Sequence, residues 1–343
     1  MNFKNSNILS KPEYEFLRTN PNLGNNICML CLGGSYAYGT NIETSDIDIR
    51  GCATNSKLQI LTNQNFGQVC DSTTDTTIYS FNKLISLLSD CNPNTIELLG
   101  NIPENYLYLN WIGKMLIDNY KLFLSKKAIK SFGGYANQQL NRLNNKAVRK
   151  VPQSEQEEHI LKTIIHNAET TFKEKYFPLN DSNYIKLYID KAVNGELETE
   201  IFMDAYLGHY PLRDYKDMWS EMHNIVKSYA TVGARNDKAA SKGKLGKHMM
   251  HLCRIFLMCF DILEKEEIVT YRKDEHDFLM SIRNGDYLDS NDQPIPEFFE
   301  IVNEYEKRLE YDKKNTNLPD SPDYKKINEF MAEVNEYIVL KGE

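Results

Sequence analysis

The segment Leu32 to Gly51 reads LGGSYAYGTNIETSDIDIRG, and its residue types could do two pieces of chemistry side by side. Gly33 and Gly34 let the backbone turn sharply after an apolar run and approach a ligand closely, and Ser35 adds a hydroxyl. Followed by a helix start, such a turn aims its N–H groups at phosphate oxygens. Asp46 and Asp48 stand two apart in a strand-like run, Asp46 to Ala53, so both carboxylates leave one face. Two hard oxygen ligands on one face suit magnesium, which commonly binds through one or two carboxylates plus substrate phosphates.

A two-metal site asks for a further carboxylate from a neighbouring strand. Asp71 and Asp75 flank the Ser-Thr-Thr turn of CDSTTDTTIYSF. Asp75 opens the next β-prone run and is the preferred third acid, whereas Asp71 has the look of a turn residue.

A second group of chemistry-bearing residues lies far along the chain. Between Gly233 and Arg254 stand Arg235, Lys238, Lys242, Lys244, Lys247 and Arg254 against a single acid, Asp237. Lys247, His251 and Arg254 fall at i, i+4 and i+7 of a helix, one face that could neutralise a triphosphate. His248 and His251 find no nearby cysteine or carboxylate to complete a zinc set. Tyr135, Gln139, Arg142 and Lys146 step along one helix face, a pattern that could contact a base, a sugar or an acceptor but is more often ordinary surface or domain-interface packing. Cys28 and Cys31 spell C-x-x-C, but positions three apart in a strand face opposite sides, so both are expected as buried thiols.

These residues need elements to hold them. Strand-like runs at Ile27 to Leu32, Asp46 to Ala53, Phe66 to Cys70 and Thr76 to Phe81 place a small sheet in the first hundred residues. From Lys83 the apolar spacing lengthens to that of helices. Helical patterns then run near 111–124, 127–147, 154–176, 196–207, 214–230, 244–264, 274–283, 295–312 and 321–340, broken by one strand-like run from Glu267 to Tyr271. The expectation is an α+β chain, a sheet core over 1–110 followed by a mostly helical domain over 111–343.

Composition bounds the function classes. At 343 residues, with 41% hydrophobic and 26% charged residues, the chain has a globular balance and no apolar run long enough to span a bilayer. A net charge of −8 excludes a surface that is basic throughout, so any contact with a polyanion is local. Seven scattered cysteines are expected as reduced thiols, and the segment MNFKNSNILSKPEYEF lacks the pattern of a secretory signal. The expected location is cytoplasmic, with no membrane partner and an open oligomeric state.

The Gly-Ser turn followed by Asp-Ile-Asp-Ile resembles the signature of the DNA polymerase β nucleotidyltransferase superfamily. GSYAYGT with SDIDIRG, CNPNTIELLG, FGGYANQQLNRL, and KHMMHLCRIF with IRNGDY resemble more closely its RNA repair pathway family. That resemblance implies a nucleotidyltransferase sheet core with three metal-binding acids, a helical second half completing the nucleotide and acceptor cleft, an NTP such as ATP as substrate, and two magnesium ions, with manganese as a substitute. By the resemblance Gly34 and Ser35, beside Gly33, match the phosphate-contacting turn. Asp46, Asp48 and Asp75 match the metal-binding and catalytic acids. The implied reaction moves an NMP from an NTP onto an acceptor hydroxyl, with an RNA 3′ end as the acceptor. The alternatives are nucleotidylation of a protein or small molecule, in a toxin–antitoxin or defence setting, and a non-catalytic nucleotide- or RNA-binding protein.

Overall fold

The computed structural model describes residues 8–148, 157, 158, 161, 184–193, 199–223, 244–290 and 292–341. Two compact units emerge: Met1–Gln139 with Met249–Tyr287 and Pro296–Glu343, and Leu140–His248 with Leu288–Ile295.

The first unit is built on a mixed five-stranded sheet. Its strands are β1 (Ile27–Leu32), β2 (Ile49–Ala53), β3 (Gln68–Asp71), β4 (Thr76–Ser80) and β5 (Tyr106–Leu109), in the order β3-β4-β2-β1-β5. β2 runs antiparallel to β1 and parallel to β4, with Ile49 opposite both Leu32 and Thr76. The ICMLCL run of β1 is apolar throughout, as befits a central strand covered on both faces, and Cys28 and Cys31 are buried free thiols. Leu9, Tyr14, Leu17 and Leu23 from the N-terminal segment pack into one core cluster with Ile27, Leu30, Ile49 and Ile78 of the sheet.

Short helices leave the strands. After β1 comes α1 (Gly34–Tyr38), ended by Gly39 in the left-handed conformation. α2 (Phe81–Ser89) follows β4, and its first turn is capped by the Ser80 hydroxyl, which accepts from the Lys83 N–H. α3 (Trp111–Asp118) starts at Asn110, whose side chain accepts from the N–H groups of Ile112 and Gly113. The longer helices are α4 (Lys127–Val148), α5 (Lys244–Phe260), α6 (His276–Asn284), α7 (Pro296–Asn315) and α8 (Tyr324–Lys341). The fold is therefore α+β, a polymerase-β-like sheet with a mostly helical remainder.

Three expectations need correction. The strand expected from Asp46 starts at Ile49, because its partner β1 ends at Leu32 and leaves Asp46 to Asp48 with no ladder to join. Residues 196–207, expected as helix, contain β7 (Thr199–Tyr206), which pairs along its whole length with β6 (Tyr184–Lys191) in the second unit. Glu267 to Tyr271 forms no strand; the Thr270 N–H donates to the Gly100 carbonyl at 3.2 Å without a ladder around it. Of the helix expected over 154–176 only residues 157, 158 and 161 are described, each helical; the basic residues Arg235, Lys238 and Lys242 lie outside the described residues, as do the side chains of Gln139, Arg142, Lys146 and Lys244. Among the described residues no helix is long and apolar enough to cross a membrane.

Gly51 shows how tightly β1 and β2 are drawn together. A Cβ built there would stand 2.4 Å from the Met29 carbonyl oxygen and 2.8 Å from Leu30 Cδ2. Gly51→Val should therefore lower unfolding free energy by about 1–3 kcal/mol, the usual toll of overpacking. Urea denaturation followed by circular dichroism checks this; an unchanged midpoint would mean that the two strands have slack.

Candidate active site

The Gly33–Gly34 turn leads directly from β1 into α1, and it closes against Asp48. The Gly33 N–H donates to the Asp48 carbonyl at 2.8 Å. Gly34 has φ +53°, and a Cβ there would lie 1.8 Å from Asp48 Oδ2. Only glycine combines that backbone with that proximity. The anion-type turn and the second acid of the pair are thus neighbours through backbone geometry. Ser35 is half-buried on α1, and its carbonyl accepts from the Thr40 N–H at 2.9 Å.

Asp75 ends the turn before β4, with φ +45°. Its carbonyl accepts from the Ile49 N–H at 3.3 Å, so it stands beside Asp48 at the matching end of the parallel β2–β4 pair. Asp71 sits elsewhere: its Oδ2 accepts from the Thr74 N–H and hydroxyl, both at 2.8 Å, as an Asx-type turn residue does. Asp46 is exposed in the loop ahead of Asp48.

One residue joins the acids. The Arg50 guanidinium reaches Asp75 Oδ1 at 3.2 Å and Asp48 Oδ1 at 3.6 Å from the same nitrogen, while its other terminal nitrogen donates to the Asp75 and Ile49 carbonyls. Two carboxylates that share one cationic nitrogen can share another cation. Among the described residues no three His, Cys, Asp or Glu side chains are gathered closely enough to enclose an ion by themselves. Asp48 and Asp75 therefore fit a divalent ion that takes its remaining oxygens from a substrate, the ordinary habit of magnesium.

A carboxylate absent from the sequence-based set lies behind this edge. Glu97, only 13% exposed, accepts from the Tyr38 hydroxyl, and its Oε2 is 3.5 Å from an Arg254 guanidinium nitrogen. Burial pushes the Glu97 carboxyl up to about 8; Arg50 pulls it down and Asp48 adds to the rise. The signal was present in CNPNTIELLG, where a lone acid interrupts the apolar residues Ile96, Leu98 and Leu99.

Arg254 is buried, with its guanidinium 3.2 Å from the centre of the Tyr38 ring. It donates to His251 Nδ1 at 2.8 Å, which leaves the proton on Nε2 to meet the Tyr135 hydroxyl at 3.2 Å. Two of the three residues expected on one face of α5 thus join a chain that runs from Tyr135 to Glu97 within the first unit. Lys247 is exposed on the first part of the same helix, in the second unit.

Residues from the C-terminal half also fix the loop that carries the acids. Arg283 of α6 donates to the Thr40 carbonyl at 2.7 Å and reaches the Ser45 hydroxyl at 3.4 Å. The Arg272 N–H donates to the Tyr38 carbonyl at 3.1 Å, and the Thr270 hydroxyl donates to the Glu97 carbonyl at 2.7 Å. Arg272 is itself held by Asp261 through a buried ion pair of 2.5 Å.

The raised Glu97 carboxyl carries a sign for stability. Its neutral form is favoured in the fold, so this contribution is complete below its ordinary value of 4.5 and is lost as pH climbs through about 8. Wild type should lose up to about 4 kcal/mol of stability over that window relative to Glu97→Gln. Thermal unfolding of both proteins from pH 5 to 9 measures it; parallel curves would show that Glu97 stays ionised throughout.

A family model described as the RNA repair pathway DNA polymerase beta family matches residues 10–199, which include the glycine turn, Asp46, Asp48, Asp75 and Glu97. No curated protein and no solved structure matches the chain. With more than half of its 343 residues matched, and with the sheet and glycine turn in place, the chain belongs to the RNA repair pathway DNA polymerase beta family.

Proposed function

We propose that the chain is a magnesium-dependent nucleotidyltransferase that moves an NMP from an NTP onto an acceptor hydroxyl, with an RNA 3′ end as the acceptor. The observation that carries this reading is the closure of the Gly33–Gly34 turn on Asp48, with Asp75 at the adjacent strand end. In this family setting, a phosphate-binding turn and hard oxygen ligands at one edge suit phosphoryl chemistry, in which positioning and charge neutralisation supply most of the rate.

Asp46, Asp48 and Asp75 would hold the divalent ions, two magnesium ions or manganese in their place. Such ions supply neutralisation of the triphosphate and a lowered pKa for the attacking hydroxyl. The chain's own groups do the rest. The N–H groups of Gly34 and Ser35 and the Ser35 hydroxyl would hold the terminal phosphates in line for departure as pyrophosphate, the Gly33 N–H being taken by the Asp48 carbonyl. Asp75, whose side chain is 63% exposed and so reachable by an acceptor, would take the hydroxyl proton. His251 and Arg254 act from behind, by bracing Tyr38 and Glu97, and Lys247 is the exposed cation of α5. RNA as the acceptor draws its support from the family's pathway.

Purified protein incubated with magnesium, each α-labelled NTP in turn and a mixture of RNA, protein and small metabolites should pass label to RNA. Asp48→Asn should reduce the rate by at least about a hundredfold, because it removes charge that acts at the reacting centre. Asp71→Asn, which only loosens the Thr74 turn, should stay near wild type. Label on protein or a metabolite would move the acceptor assignment, and equal rates for wild type and Asp48→Asn would remove the acids from the mechanism.

A further inference from the structure

We propose that Arg50 is an internal stand-in for the divalent cation: it pins the Asp48 and Asp75 carboxylates together at the ends of β2 and β4 and must yield its place when metal and nucleotide bind. This inference rests on the metal-binding reading above and goes beyond it by assigning a role to a residue outside the acid set. One guanidinium nitrogen lies 3.2 Å from Asp75 Oδ1 and 3.6 Å from Asp48 Oδ1, the position from which a cation neutralises both. The other nitrogen bonds to the Asp75 and Ile49 carbonyls at 2.5 and 3.0 Å, so the side chain also fixes the backbone of the third acid. That backbone is in the left-handed region, which a non-glycine residue holds only when its surroundings insist.

The balance of the contacts makes exchange feasible. The Asp75 side chain is 63% exposed, so its ion pair with Arg50 contributes little, and the more covered Asp48 lies 3.6 Å from the guanidinium, beyond hydrogen-bond distance. A divalent ion that also collects triphosphate oxygens out-competes such a pair, whereas a lone arginine is enough to stop two neighbouring carboxylates from repelling each other. Arg50 follows Asp48 at the start of β2 and lies against both acids, and Gly33 leaves it room: a Cβ there would stand 3.0 Å from Arg50 Cγ. A purely structural arginine would strengthen the metal site by its presence. A competing one weakens it, and the sign separates the two roles.

The test is manganese binding to the full chain without nucleotide, read from the electron paramagnetic resonance signal of free Mn2+. Arg50→Met should bind manganese about tenfold more tightly than wild type, since a positive charge beside the ligands is gone. Arg50→Lys, which keeps the charge but cannot bridge both acids and the carbonyls, should fall between them and guards against a folding defect in the methionine variant. Asp48→Asn should weaken binding in both the wild-type and Arg50→Met backgrounds. Unchanged or weaker binding by Arg50→Met and Arg50→Lys, with Asp48→Asn still reducing it, would overturn the role of Arg50 and leave the metal site standing. Binding that ignores Asp48→Asn, or is absent from every variant, would overturn both.

Discussion

The site depends on one close approach: the Gly33–Gly34 backbone lies against Asp48 so tightly that a side chain on Gly34 would occupy the carboxylate's own place. The rest of this edge follows from that contact. With the Gly33 N–H bound to the Asp48 carbonyl, the acid loop is set by the end of β1, and the parallel register of β2 with β4 sets Asp75 beside it. The glycine turn, Asp48 and Asp75 are thereby held by backbone hydrogen bonds rather than by long side chains, the kind of support that keeps a local geometry from drifting.

Such an edge collects negative charge, and the protein manages it at two depths. At the surface Arg50 lies between Asp48 and Asp75. Beneath, Glu97 is buried and meets Tyr38 and Arg254, and its carboxyl is pushed toward the neutral form by burial and by Asp48. The groups that brace this region come from distant sequence. The Arg254 guanidinium of α5 meets Glu97, the Arg283 guanidinium of α6 donates to the Thr40 carbonyl, and Arg272 gives its backbone N–H to Tyr38 while its side chain pairs with Asp261. The helical half is therefore part of the machinery that positions the acids, which explains why Met249–Tyr287 belongs with the sheet in one compact unit.

Much of this was legible in the residues. The continuous apolar run of β1 and the glycine turn after it rest on short-range chemistry, and so do the Thr74 bonds to Asp71, which match the turn setting of that residue. What was not legible depends on partners remote in sequence. The strand expected from Asp46 stops short because β1 ends first, a fact held in the pairing and not in SDIDIRG. The run EIFMDAY carries enough apolar residues to suit either period, and the β6 partner decides for a strand. Arg254 reads from the sequence as one of three polar residues on a helix face, and only the fold buries it, with Glu97, against Tyr38. Arg50 was within reach, since it repeats the period of the two aspartates, but a cation on an acid face is easily passed over as a strand's polar side.

The central claim is that this edge binds divalent cation together with the phosphates of a nucleotide. Anomalous diffraction from crystals grown with manganese and a non-hydrolysable NTP tests it most directly. The account predicts a manganese peak about 2 Å from an Asp48 oxygen, with Asp46 or Asp75 completing its protein ligands and phosphate oxygens over the Gly33–Ser35 turn. A nucleotide bound elsewhere, with no metal peak at these carboxylates, would contradict it.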